Sequence, residues 1–142
     1  MKHLAALCTL FALTGCVGVV KTYSGERNIE QIAIIKGGDL EFAGNRYLTF
    51  LASYAPIVEG NKPESHSVGN SFTGYPREIH IEPGKYLVMT KCHIANQYAF
   101  PAVAIEAEAG MTYEIKCEPI PDQLSRVRAK VTGSQKSRSQ TQ

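Results

Sequence analysis

The sequence predicts an all-β fold, in which about six or seven short strands form an antiparallel β-sandwich. Short runs rich in β-branched and aromatic residues recur along the chain, and turn residues separate them. No segment has the period of a convincing amphipathic helix. The chain has 142 residues, which is enough for one sizeable core but not for two. We place this domain at residues 29–132.

The chain begins with the architecture of a secretory signal. A lysine precedes an apolar run at residues 4–14, and small residues stand immediately before Cys16. The run is shorter than the roughly 20 residues that a membrane-spanning helix needs. We therefore interpret residues 1–15 as a signal peptide and not as a transmembrane anchor.

Leu13-Thr14-Gly15-Cys16 resembles the lipobox of bacterial lipoproteins. The resemblance implies cleavage before Cys16, a diacylglyceryl thioether on its sulfur and an acyl group on its new amino group. More than one acyl chain gives a stable membrane anchor. Aspartate after the cysteine commonly retains such proteins in the inner membrane. Because Val17 stands there, the resemblance implies an outer-membrane anchor with the domain facing the periplasm. An ordinary signal peptide containing a cysteine is the alternative.

The first half of the domain contains two predicted strands. Residues 16–28 are interpreted as the lipidated cysteine and a tether with a reach of about 40 Å. A β-branched run at residues 31–36 is consistent with a buried strand, and residues 37–39 indicate a turn. A second strand is predicted at residues 47–54. Its buried face is expected to carry Leu48, Phe50 and Ala52.

Residues 55–76 form the longest stretch without a strand pattern, and proline, glycine and asparagine are frequent in it. Loops of this length are usually functional or disordered. Residues 77–82 then alternate cleanly, which predicts a strand with Ile79 and Ile81 facing inward.

Four strands are predicted in the second half of the domain, at residues 85–94, 100–108, 111–118 and 124–131. Residues 109–110 read as a turn, so the second and third of these strands are expected to form a hairpin.

Two cysteines remain after the signal and the lipidation site are set aside, and the periplasm permits disulfides. Cys92 shares a strand face with Tyr86 and Val88, while Cys117 shares one with Tyr113 and Ile115. If both are core faces, the sulfur atoms can meet across neighbouring strands or sheets. A Cys92–Cys117 disulfide is therefore predicted, and a thiol-redox role is disfavoured because Cys-x-x-Cys is absent.

The histidines do not predict a metal site. Cys92 and His93 are adjacent in a strand and point to opposite faces, so they cannot share an ion. His80 lies between Glu78 and Glu82 on an outward face, where weak binding of a divalent cation is possible but a solvated face is the preferred interpretation.

No catalytic motif or cofactor motif is recognised in the sequence. Residues 65–67 (Ser-His-Ser) lack the Gly-x-Ser-x-Gly elbow. Glu106 and Glu108 share an exposed face and are interpreted as solubilising. Residues 36–38 lack the rest of a P-loop. We expect no enzymatic activity, no cofactor and no metal.

Charge is distributed unevenly around a net value of +2. From residue 126 onward all charged residues are basic, namely Arg126, Arg128, Lys130, Lys136 and Arg138. Residues 133–142 are predicted to be a disordered tail, because they contain no large apolar residue to offset the entropy of ordering. A contact of these basic residues with anionic lipid is the less favoured alternative. Nucleic acid is excluded as a partner by the exported location.

The order of several short motifs resembles that of small uncharacterised bacterial lipoproteins across residues 16–118. The motifs are Cys16, Tyr23-Ser24-Gly25, Ile32-Ala33-Ile34-Ile35, Pro83-Gly84-Lys85-Tyr86 and Ala109-Gly110-Met111-Thr112-Tyr113. The resemblance implies a fold and a location but no settled chemistry.

The predicted function is a non-enzymatic envelope binding or assembly accessory. Five aromatic residues in or beside loops are the candidate contact residues for an envelope protein partner, with packing over the ends of the sandwich as the alternative role: Tyr54, Phe72, Tyr75, Tyr98 and Phe100. One alternative is an inhibitor resembling small β lipoproteins that block lysozymes, with residues 65–71 as the inserted loop. A second is a lipoprotein subunit of a secretion or pilus complex. An enzyme is the third alternative, to be tested at His66. The oligomeric state is left open.

Overall fold

The structure is a computed structural model that describes residues 18–138, so the signal and Cys16 lie outside the described residues. Within this range the fold is all-β, with eleven strands, one 3₁₀ turn at Ile29–Gln31 and no α-helix. The described part contains no helix that is long and apolar enough to cross a membrane. The strands are β1 (Val20–Lys21), β2 (Ala33–Gly38), β3 (Leu40–Phe42), β4 (Asn45–Pro56), β5 (His66–Ser67), β6 (Glu78–Ile81), β7 (Gly84–Ile94), β8 (Gln97–Ala99), β9 (Ala102–Ala107), β10 (Met111–Ile120) and β11 (Gln123–Lys136).

The strands form two sheets. The first sheet has the order β1-β6-β2-β10-β11, and the second has the order β3-β4-β7-β8 with β5 beside β4 and β9 beside β7. The second sheet is antiparallel throughout. The first is mixed, because β2 runs parallel to β10 and β1 runs parallel to β6. The prediction of purely antiparallel pairing is therefore wrong for the first sheet.

Side chains from both sheets meet in one hydrophobic core. Ile35 and Ile79 of the first sheet and Leu51 and Val88 of the second sheet are all fully buried in the same cluster. The inward positions of Ile79 and of alternate β7 residues agree with the alternation in the sequence. Burial of this apolar surface is the main favourable contribution to folding.

The predicted buried face of β4 is wrong. Tyr47, Thr49 and Leu51 face the core, whereas Leu48 and Phe50 are half-buried on the outer face. Thr49 is tolerated inside because its Oγ1 accepts a hydrogen bond of 2.9 Å from the backbone N–H of Cys117. Ala52 is buried because the register between β4 and β7 shifts at this residue, which is a β-bulge.

The predicted turn at residues 37–39 is wrong at its glycines, because β2 continues to Gly38. A Cβ atom at Gly37 would overlap the backbone carbonyl of Thr49. Glycine is needed here because the two sheets approach each other closely, and not because the chain reverses.

The predicted hairpin between residues 100–108 and 111–118 is also wrong. Strand β9 pairs with β7 in the second sheet, while β10 pairs with β2 and β11 in the first. The turn at residues 109–110 therefore carries the chain from one sheet to the other. It is fixed by a hydrogen bond of 2.7 Å from the N–H of Gly110 to the carbonyl of Ile32.

Three segments for which the sequence predicts no strand contain paired strand residues in the structure. Strand β1 lies beside β6 within the predicted tether. Strand β5 pairs with β4 within residues 55–76. Strand β11 continues to Lys136, so the predicted disorder is wrong for residues 133–136. Strands this short, or this poor in apolar residues, produce no periodic signal in the sequence.

Candidate binding surface

Aromatic side chains surround a lysine on the outer face of the second sheet. The Nζ atom of Lys91 lies 4.6 Å from the ring centroid of Tyr75 and 5.1 Å from that of Tyr98. The ring of Phe100 lies 6.1 Å from that of Tyr75 and 5.8 Å from that of Tyr98, in an edge-on arrangement with the latter. These separations suit cation–π and aromatic pairing. We call these four residues the aromatic–lysine surface.

The strand pairing places these residues together. Cys92 faces the core, so its neighbours Lys91 and His93 point outward from β7. Tyr98 of β8 pairs directly with His93 and therefore lies on the same face. Tyr75 enters from the loop before β6. That loop is held against β4 by a hydrogen bond of 2.8 Å from the N–H of Leu51 to the carbonyl of Pro76.

A rigid turn at residues 70–74 carries Phe72 beside this surface. The side-chain Oδ1 of Asn70 accepts hydrogen bonds from the N–H groups of Phe72 and Thr73, at 2.8 and 2.9 Å. The backbones of Asn70 and Gly74 bond to each other in both directions, at 3.1 and 2.9 Å. Phe72 is nevertheless 100 % exposed. A fixed backbone with an exposed aromatic side chain lowers the entropic cost of inserting that side chain into a partner.

A groove of about 270 Å³ separates the turn from the sheet. Its walls include Phe50, Asn70, Tyr75, Lys91 and His93. None of the described residues that line it carries a carboxylate. The groove is therefore aromatic and cationic in character.

The apolar character continues along β7. Leu87 is 39 % and Met89 is 38 % exposed on the same outer face. Each lies opposite a small residue of β9, Ala104 and Ala102 respectively. Contiguous exposed apolar surface of this kind marks interaction sites in soluble domains.

Of the five aromatic residues proposed from the sequence, the structure brings three together and places Phe72 beside them. Tyr54 is separate. It is half-buried, packs against the core, and stacks on His66 with the ring centroids 5.2 Å apart. Lys91 is not among the candidates predicted from the sequence, although the alternation around Cys92 places this lysine on the outer face.

Cys92 and Cys117 are joined as a disulfide, with their Cα atoms 5.8 Å apart. Cys92 belongs to the second sheet and Cys117 to the first, so the bond links the sheets, which is one of the two arrangements that the sequence left open. Both residues are fully buried and pack with Tyr47. This pair is structural and inaccessible to substrates.

Glu78 and His80 of β6, and Glu82 immediately after it, do not converge on an ion. His80 Nε2 lies 2.8 Å from Glu78 Oε1, but Glu82 pairs with Arg27 instead, at 2.8 Å. Burial raises the pKa of Glu78, but hydrogen bonds with His80 and Lys36 outweigh this and lower it overall. Among the described residues, no group of three or more His, Cys, Asp or Glu side chains is arranged to hold a metal.

The remaining candidate residues lie apart from one another. His66 is exposed in β5 at the β4 edge, and Glu106 and Glu108 are exposed at the end of β9. Comparisons with protein-family models, with curated proteins and with solved structures give no match for this chain.

Proposed function

We propose that this protein is an outer-membrane lipoprotein that acts in the periplasm as a non-enzymatic binding accessory for an envelope protein. The observation that carries the binding role is the aromatic–lysine surface with the exposed Phe72 beside it. Aromatic residues and a cation around a groove are typical of the energetic centre of protein interfaces. The partner would offer an apolar pocket for Phe72 and carboxylates near Lys91.

The anchor and the fold class are part of the same proposal. Leu13-Thr14-Gly15-Cys16 supports lipidation of Cys16. The core shared by both sheets and the Cys92–Cys117 link between them support a β-sandwich, in which the two sheets pack face to face. No enzymatic activity and no cofactor are proposed. The surfaces described above offer contact chemistry and no nucleophile–base pair.

The anchor is tested by the intact mass of the protein extracted from bacterial membranes. We expect a mass equal to residues 16–142 plus a diacylglyceryl group and one amide-linked acyl chain, minus the two hydrogen atoms lost in the disulfide. A soluble product that retains residues 1–15, or that lacks the lipid groups, would overturn the anchor and leave Cys16 as an unmodified cysteine.

The binding surface is tested by photo-crosslinking in intact cells, with benzoylphenylalanine in place of Phe72. We expect one discrete crosslinked envelope protein, whose yield falls roughly thirtyfold in the Tyr98→Ala variant, because an interface hot spot contributes about 2 kcal/mol. The matched control carries the probe at Leu124, which is 69 % exposed on β11 of the first sheet. Equal crosslinking from both positions, or a yield unchanged by Tyr98→Ala, would contradict the proposal.

Lysozyme-type inhibition is a second candidate, and the rigid turn at residues 70–74 is the observation that favours it. Residues 66–67 of the predicted inserting loop are paired with β4, so the inserted part would be the turn that carries Phe72. An inhibition assay with purified lysozymes separates this candidate from the first. Inhibition by the natural protein that is lost in Phe72→Ser would support it, and no inhibition by the natural protein would contradict it.

A further inference from the structure

A second recess lies on the outer face of the first sheet, and most of its lining residues are polar or charged, with Ile29 and Ile34 as the apolar exceptions. It has a volume of about 730 Å³. Lys36, Glu78, His80 and Thr112 form its floor, and they alternate along their strands with core residues. The end of β11 and the residues after it supply its rim, with Lys136, Ser137 and Arg138. We call this recess the basic cleft.

The register of the sheet extends the cleft toward β1. His80 pairs with Ile34, Ile34 with Thr112, and Thr112 with Gln135, so one row of residues crosses four strands. On the other side His80 pairs with Lys21 of β1. Neighbouring strands are about 4.8 Å apart, so the row from Lys21 to Gln135 is about 19 Å long. Basic residues stand at or near both of its ends.

The charges in the cleft are unbalanced. Glu78 is the sole carboxylate among the described residues that line it, and its two oxygens are occupied by Lys36 at 3.2 Å and His80 at 2.8 Å. Lys136 and Arg138 make no ion pair with another described residue, and Lys21 likewise makes none. The hydroxyls of Thr112 and Ser137 lie 2.7 Å apart on the floor and rim. Cations and hydroxyl donors together suit the oxygens of a phosphate ester.

The position of the cleft relative to the anchor indicates which kind of phosphate it meets. Strand β1 begins at Val20, only four residues after Cys16. Four residues span at most about 14 Å, which is far less than the reach of a free tether that extends to residue 28. A lipidated Cys16 therefore holds the β1 edge of the first sheet, and Lys21 with it, close to the headgroups of the bilayer.

We propose that the basic cleft binds the phosphate headgroups of anionic phospholipids, so that the first sheet faces the membrane and the aromatic–lysine surface faces the periplasm. This inference rests on the lipid anchor of the proposed function. It gives the two outer faces of the molecule separate roles, one in orientation and one in partner binding. It also assigns a role to the basic residues at the end of the chain.

The test is hydrogen–deuterium exchange of the full lipidated protein in vesicles of phosphatidylcholine, with or without phosphatidylglycerol. We expect exchange at residues 134–138 to slow by up to about twenty-fivefold in the anionic vesicles, because two basic side chains near an anionic surface contribute about fivefold each. Exchange in β7 and β8 should not change. The effect should disappear in Lys136→Gln/Arg138→Gln. The matched control Lys62→Gln/Lys85→Gln removes the same charge from exposed positions outside the first sheet and should retain it.

The outcomes separate this inference from the anchor. Equal exchange in both kinds of vesicle, with the protein retained on both, would overturn the cleft and leave the anchor standing. The same protection from inorganic phosphate in neutral vesicles would overturn the assignment to headgroups. If the mass shows no lipid, binding to anionic vesicles that depends on Lys136 and Arg138 would still support the cleft, and absence of binding would overturn it.

Discussion

At the scale of single residues, Asp39 links segments that belong to different sheets. It lies between β2 of the first sheet and β3 of the second, and its carboxylate accepts hydrogen bonds from Arg77 and from Arg46, the latter at 2.8 Å. Arg77 also donates to the carbonyl of Gly37 at 3.0 Å and lies over the ring of Phe50 at 5.3 Å. One carboxylate therefore organises the crossing between the sheets.

Ionisation of Asp39 is expected to make stability depend on pH. Burial raises its pKa, but the hydrogen bonds and charges of Arg77 and Arg46 outweigh this and lower it below the ordinary value. A lowered pKa in the folded state contributes stability above the unfolded pKa of about 3.9, and this contribution is lost as the pH falls through the folded pKa.

We expect Asp39→Asn to lower the free energy of unfolding by about 1 kcal/mol at pH 7, in the upper part of the range for partly exposed ion pairs because two arginines share the carboxylate. At a pH low enough to protonate Asp39 in the folded protein, the variant and the natural protein should become equally stable, since both then carry a neutral side chain. Urea unfolding at the two pH values measures the difference. A difference that is the same at both pH values would show that charge is not its cause.

At the scale of elements, Gly37 of β2 sets the distance between the sheets at one point of close approach. Gly37 faces the backbone of Thr49. The Oγ1 atom of Thr49 accepts a hydrogen bond from the backbone N–H of Cys117 across the interior. The first and second sheets therefore touch through backbone atoms at this point, where neighbouring residues can give little room.

Gly37→Ala is expected to cost about 3 kcal/mol of unfolding free energy, at the upper end of overpacking effects, because the added methyl group meets a rigid carbonyl. Gly133→Ala is the matched control, since it lies in β11 with no atom within 4 Å of the added Cβ. It should change stability by less than about 1 kcal/mol. Urea midpoints of the two variants test the comparison, and an equal loss in both would point to a general effect of replacing glycine in a strand.

Local patterns in the sequence predict where the strands lie better than they predict which strands pair and which face is buried. Strict alternation at Ile79 and Ile81 was sufficient, because only one face of that strand is apolar. In β4 both faces carry large apolar groups, so nothing local showed that Tyr47 and Leu51 face the core. Residues 109–110 look like a hairpin turn, but the choice between pairing locally and crossing to the other sheet depends on β2, which is distant in sequence.

The candidate site was predictable in composition but not in geometry. Tyr75, Tyr98 and Phe100 were recognised as loop aromatics, yet their convergence on Lys91 depends on the pairing of β7 with β8 and on the loop that carries Tyr75. The basic cleft is harder to predict from the sequence than the aromatic–lysine surface, because the end of β11 has the composition of a solvated tail. Its backbone is ordered by pairing with β10 and not by burial of its own side chains.

At the scale of the whole molecule, the disulfide links the aromatic–lysine surface to the rest of the fold. The bond closes a loop over a sequence separation of 25 residues, which contains β8 and β9 and therefore Tyr98 and Phe100. It also joins the sheet that carries the aromatic–lysine surface to the sheet that carries the basic cleft. Loss of the bond should affect stability and the relation between the two faces together.

Reduction of Cys92–Cys117 is expected to lower the free energy of unfolding by about 3.5 kcal/mol, which is the loop-entropy value for a loop of about 25 residues. This is a large part of the roughly 5–15 kcal/mol of a typical domain. Urea unfolding with and without reductant measures the change, and the Cys92→Ala/Cys117→Ala variant, which reductant should not affect, is the control. If the natural protein unfolds at the same urea concentration in both conditions, the noncovalent contacts between the sheets alone determine stability. We expect reductant also to lower the crosslinking yield from position 72, because Tyr98 would lose its fixed position beside Lys91. A yield that reductant leaves unchanged would agree with the contrary result.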